Sequence, residues 1–67
     1  MKNPLYPDLH DRIMYLGGTT KMLKKTGIFN NSYYRMQQGL SEPRKFTIDA
    51  LLAYTGLTYE EAFREKK

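Results

Sequence analysis

Read for its apolar and polar positions, the chain falls into five short stretches at helical spacing, separated by glycine and proline. Leu9, Ile13 and Leu16 recur at i, i+4 and i+7, which predicts a helix over about 8–16, with Asp8 and Asp11 near its start where the helix dipole favours negative charge. Gly17-Gly18 ends it. Thr19 or Thr20 then offers a hydroxyl to cap a second helix running to about Thr26, in which Met22 and Leu23 lie one turn before Thr26. Gly27 stands where a helix that must stop and turn needs a residue tolerant of positive φ. Beyond it Phe29, Tyr33, Met36 and Leu40 follow i, i+4, i+7 and i+11, an apolar stripe for a third helix over about 31–38, with Gly39 at its C′ position and Leu40 folding back. Pro43 makes 41–45 a loop. Thr47 is placed to cap a fourth helix whose Ile48, Leu51, Leu52 and Thr55 face inward before Gly56 stops it. Leu57 then enters the core, and Thr58 and Glu61 form a capping box for a short fifth helix with Ala62 and Phe63 apolar.

No run alternates as a strand does, and neither an internal repeat nor a low-complexity tract is present. The expected fold class is all-α: one domain over 1–67, a compact bundle of about five short helices. Residues 1–6, broken by Pro4 and bounded by Pro7, read as a flexible arm, and 64–67 as a frayed tail.

The second and third patterns meet across one glycine, which is how a helix-turn-helix reads. The outer side of the third carries Asn31, Ser32, Tyr34, Arg35 and Gln38, all able to hydrogen-bond and mostly uncharged. A merely solvated helix face is usually rich in Glu and Lys, whereas this one suits the edges of bases. Tyr33 lies on the apolar stripe and Tyr34 points the other way, one for packing and one for contact. His10, beside the first stripe, reads as a rim residue.

Composition narrows the chemistry. With no cysteine there is no disulfide or thiolate metal site, and a single histidine excludes an imidazole cluster; no metal, cofactor or small-molecule ligand is expected. A chain of 67 residues supports one small core, in which a catalytic cleft is hard to build, so an enzyme is not expected. No apolar run approaches the roughly 18–20 residues of a membrane span, and Met1 to Pro7 is too polar and proline-broken for a signal peptide, so no membrane partner and a cytoplasmic location are expected. The net charge of +4 is uneven. Between 21 and 45, Lys21, Lys24, Lys25, Arg35, Arg44 and Lys45 stand against Glu42 alone, +5, while 1–20 balance and 46–67 carry −1. The positive field coincides with the helix-turn-helix, the combination expected of a polyanion-binding face.

From about Leu9 to Phe63 the chain resembles the lambda-repressor-like DNA-binding domains, the phage repressor/Cro and Xre-type helix-turn-helix family. The matching features are Thr19 opening the second helix, Met22, Gly27 at the turn, Tyr33 with Met36, Gly39, the Pro43-Arg44-Lys45 loop, the helix from Thr47 to Thr55, Gly56-Leu57-Thr58, and the last turn from Tyr59 to Phe63. Leu23 stands where the family has a small alanine, Thr19 where it has glutamine, and Phe29 where it has a small polar residue. The resemblance implies base contacts from Asn30, Asn31, Ser32 and Arg35 with Tyr34 nearby, either Asn30 or Asn31 being the first reader because Asn30 is also placed to cap the helix. It implies phosphate contacts from Thr19, Thr20, Lys21, Gln38, Arg44 and Lys45. The family's arginine–glutamate link between the first helix and the end of the third finds Arg12 and Gln37 here, so an Arg12–Gln37 hydrogen bond is expected.

On this reading the chain is a sequence-specific double-stranded DNA-binding transcriptional regulator, a small phage or mobile-element repressor. It would act as a homodimer on a palindrome, since one recognition helix reads too few base pairs. Leu57, Tyr59 and Phe63 are the expected dimer contact, with Phe63 equally suited to the core. The alternative is a protein-binding module on the same fold, a phage-encoded inhibitor of a host enzyme or an antitoxin. Discrimination rests on whether a duplex palindrome is required.

Overall fold

The computed structural model describes residues 3–65, and among them the fold is all-helical: α1 Pro7–Tyr15, α2 Thr19–Thr26, α3 Asn30–Gln37, α4 Lys45–Thr55 and α5 Tyr59–Ala62. Leu9 and Ile13 of α1, Met22 of α2, Tyr33 and Met36 of α3, Leu51 of α4 and Ala62 of α5 are buried together with Tyr6 and Ile28 in one core. Every helix contributes to it, and each large apolar side chain so buried is worth about 1.5–3 kcal/mol. The backbones of α2 and α4, and of α1 with α2, α4 and α5, approach closely. α3 stands further out, with the long side chains of Tyr33, Met36 and Gln37 reaching in to the core.

Local chemistry explains most boundaries. Pro7 sits at the first position of α1, where its missing N–H is no loss. Gly27 ends α2 in the left-handed region at φ 77°, and a Cβ there would meet nothing within 4 Å, so the demand for glycine is purely conformational. After α3 the Leu40 amide donates to the Arg35 carbonyl at 2.9 Å and the Gly39 amide to that of Met36 at 3.1 Å, the two bonds of a Schellman end. The α5 capping box forms as expected: the Glu61 amide donates to the Thr58 hydroxyl at 3.2 Å and the Thr58 amide to a Glu61 carboxylate oxygen at 3.1 Å. The Thr58 amide, joined by the Thr58 hydroxyl donating to the same carboxylate oxygen at 3.1 Å, favours the charged form and holds the Glu61 carboxyl below its ordinary range.

Several expectations are corrected. Phe29 and Leu40 do not continue the α3 stripe; both are exposed, at 80% and 72%. They flank the helix as its N-cap and the residue after Gly39, where the backbone has left helical geometry and the 3.6-residue period no longer assigns a face. Neither threonine caps α2, because Gly18 takes the N-cap position. Thr47 does not cap α4, which begins two residues earlier with Arg44 as N-cap and leaves Thr47 buried in its first turn. Asn30 is the first residue of α3, not its cap.

The chain before α1 is also not a loose arm where it is described up to α1: Tyr6 is buried, its ring edge-on to Phe63 at 5.1 Å. Gln37, fully buried, explains the docking. Its Oε1 accepts from the Tyr6 amide at 2.8 Å, and its Nε2 donates to the Tyr6 carbonyl at 3.3 Å and to the Tyr33 hydroxyl at 3.1 Å. The Leu5 amide adds a bond to the Gln37 carbonyl at 2.6 Å. Because Nε2 can only donate, the Tyr33 oxygen accepts there, and the same hydroxyl shares a hydrogen bond with Nδ1 of His10, 3.0 Å away. The expected Arg12–Gln37 bond is therefore absent: Gln37 is committed to the arm, and the exposed Arg12 lies over the Tyr15 ring, 5.9 Å from its centroid. In the tail Arg64 pairs with Asp8 at 3.5 Å, and 66–67 lie outside the described residues.

Candidate nucleic-acid interface

The helical period decides what α3 offers to solvent. Successive residues turn by about 100°. With Tyr33, Met36 and Gln37 inward, Asn31, Arg35 and Gln38 point outward, while Tyr34 and Ser32 fall on opposite flanks. On the Tyr34 flank lies the start of α2: the Tyr34 and Thr19 hydroxyls are 3.2 Å apart, and the Tyr34 ring packs edge-on to Tyr33 at 5.5 Å. On the other flank lies the start of α4, for Asn31, Ser32 and Arg35 share one groove with Ser41, Glu42, Pro43, Arg44, Phe46 and Thr47. Gly27, Ile28 and Phe29 complete its lining. The outward face of α3 is thus framed by two other helix N-termini.

All three N-termini share a property that α1 and α5 lack. α2, α3 and α4 carry no acidic residue in the first turn and no side-chain cap, whereas α1 has Asp8 there and α5 has Glu60, Glu61 and its capping box. The first intrahelical donors are the amides of Met22, Tyr33 and Ile48, bonded to Gly18, Phe29 and Arg44. The three amides before each have no intrahelical acceptor and lie at the positive end of a helix dipole. Arg44 and Lys45 at the start of α4, and Lys21 in the first turn of α2, add positive charge where the dipole already disfavours it by about 0.3–1 kcal/mol each. An anion placed against these ends relieves both.

Of the residues singled out as base contacts, Asn30, Asn31, Ser32 and Arg35 are exposed, while Tyr34 is half-buried with its hydroxyl against Thr19. Among the phosphate contacts Thr20, Lys21, Gln38, Arg44 and Lys45 are exposed; Thr19 is half-buried. Leu57 and Phe63 are half-buried against the core, so Phe63 serves packing through Tyr6, while Tyr59 is 56% exposed and lies 5.1 Å from the Phe63 ring. Phe46 was not singled out by the sequence, yet it lines the groove and is 63% exposed. The signal was there: Phe46 lies roughly 220° around α4 from Leu51, opposite the inward stripe. Among the described residues no group of acidic, histidine or cysteine side chains is arranged to hold a metal, and no helix is long and apolar enough to cross a membrane. No protein-family model matches the chain, and no curated protein or solved structure matches it.

Proposed function

We propose that this chain is a helix-turn-helix protein of the lambda-repressor-like kind that binds double-stranded DNA in a sequence-specific manner and regulates transcription from the cytoplasm. One observation carries the proposal: the outward, hydrogen-bonding face of α3 is flanked by the uncapped, acid-free starts of α2 and α4, within the stretch that holds +5 of charge. A duplex supplies what this arrangement lacks. Phosphates on either side of the major groove would meet the amides and cations of α2 and α4, while α3 enters between them. Arg35 would donate a bidentate pair to guanine O6 and N7, and Asn31 would match adenine N6 and N7. Thr20, Lys21, Arg44 and Lys45 would set register without reading sequence. A two-fold dimer, through Tyr59 with Leu57 and the outer edge of Phe63, would double the contacts across a palindrome.

Selection of bound sites from a random duplex pool tests the proposal, the expected product being a palindrome with half-sites about one helical turn apart. Arg35→Ala and Asn31→Ala should each relax one position of the half-site by about 1–3 kcal/mol and leave the melting temperature intact, since neither side chain is in the core. Equal losses on every base variant would assign them to the backbone instead. The second reading, a protein-binding module, is favoured by the exposed apolar side chains of Phe29, Leu40 and Phe46. A pool that yields no enriched duplex would move the assignment there.

A further inference from the structure

The backbone of Phe29 accepts the first bond of α3, but its side chain does nothing evident for the free fold. As the N-cap of α3, with extended φ −72° and ψ 142°, it makes no capping bond, although a Ser, Thr, Asp or Asn there would cap one of the three unbonded amides. Its ring is 80% exposed and stands outside the core cluster. It lines the groove with Asn31, Ser32 and Arg35 on one side and with Phe46, itself exposed, on the other. A large apolar ring is thus held at the leading end of the helix proposed to enter the major groove, beside its polar readers. The major groove offers such a ring one apolar feature, the C5 methyl of thymine. The groove holds Arg35 and Arg44 against the single carboxylate of Glu42, within a stretch of +5 net charge, which argues for a polyanion as the occupant rather than an apolar peptide, because an apolar peptide would leave the excess cation without an anionic partner.

We infer that Phe29 is a specificity-determining residue that reads a thymine methyl next to the bases contacted by Asn31 and Arg35, with Phe46 closing the far side of the contact against water. The inference rests on the proposed DNA binding. It also separates Phe29 from its neighbours by chemistry. Asn31 and Arg35 recognise hydrogen-bonding edges of adenine and guanine, which exchange of thymine for uracil leaves unchanged, whereas Phe29 recognises the methyl that uracil lacks.

The experiment uses the full chain and the duplex recovered by site selection, with each thymine replaced in turn by deoxyuridine. Wild type is expected to lose about fourfold at one position per half-site, equivalent to about 0.8 kcal/mol for one buried methyl. Phe29→Ala is expected to bind the all-thymine duplex at least that much more weakly, to be indifferent to deoxyuridine at that position, and to melt at or above the wild-type temperature. Phe29→Ser, which supplies the missing cap, should raise the melting temperature while showing the same indifference. A recovered duplex with no deoxyuridine-sensitive position overturns the inference, as does sensitivity that persists in both variants or wild-type DNA affinity in Phe29→Ala. Failure to recover any duplex is a different result: it removes DNA binding itself, and Phe29 and Phe46 would then belong to a protein-docking face.

Discussion

Replacing Gln37 with glutamate changes one atom's chemistry and should be severe. The Nε2 that donates to the Tyr6 carbonyl and the Tyr33 hydroxyl becomes an oxygen, in a site with no accessible surface. An ionised carboxylate there would face a carbonyl oxygen across about the same gap, so the side chain must take up a proton to stay buried. Holding a carboxyl with an ordinary pKa near 4.3 neutral at pH 7 costs about 3–4 kcal/mol, and a single hydroxyl proton can serve only one of the two former acceptors, adding about 1 kcal/mol. A domain of this length has roughly 3–10 kcal/mol in total, so the variant should be partly or wholly unfolded at pH 7. The sign with pH follows from the raised folded-state pKa. The carboxyl's contribution is fully present below the unfolded value, near pH 4, and is lost by about 1.4 kcal/mol per pH unit as the pH rises toward the folded value. Urea unfolding of wild type, Gln37→Glu and Gln37→Ala, followed by circular dichroism at pH 4, 5.5 and 7, reads this directly. The deficit of Gln37→Glu against wild type should shrink to about 1 kcal/mol at pH 4. That of Gln37→Ala, about 2–4 kcal/mol from the stranded Tyr6 amide and the cavity, should hardly change with pH. Gln37→Glu as stable as wild type at pH 7, as a partner of Arg12 would be, refutes the reasoning. So does a deficit that does not move with pH.

Burial pushes the Tyr33 phenol up to about 12, so the native state keeps a proton that the unfolded chain loses near pH 10. Stability should therefore fall by roughly 2–3 kcal/mol between pH 10 and 12, and Tyr33→Phe should remove that part of the alkaline transition in a pH-dependent melt. Gly27→Ala should destabilise by about 1 kcal/mol through backbone strain alone, since its methyl meets nothing; an unchanged melting temperature would show that the turn relaxes. For DNA binding, the log–log salt slope should rise by roughly 0.9 for each phosphate neutralised. Arg44→Ala and Lys45→Ala should then weaken all duplexes alike and lower the slope, and a flat salt response in wild type would point to a protein partner.

What the sequence determined by itself is what neighbouring residues decide among themselves. The five helices, the stop at Gly27 and the Thr58–Glu61 capping box depend on dihedral preferences and on donors and acceptors three or four residues apart, so their signatures are local. The outward exposure of Asn31, Ser32 and Arg35 was legible for the same reason, because a helix period carries a face. Phe29 and Leu40 were misplaced where that period ends, one residue before α3 and three after it, since hydropathy alone takes any phenylalanine or leucine at the right spacing for core. Gln37 shows the opposite limit. Nothing in a polar residue at the end of a helix announces full burial; it is buried because Tyr6, 31 residues earlier in the chain, returns with a backbone donor and acceptor that only a side-chain amide can satisfy together. The same return turns a proline-broken stretch into a docked one. The framing of α3 by the starts of α2 and α4 also belongs to tertiary structure, because the direction in which a helix end points is set by the packing of the whole helix and not by the residues at its end.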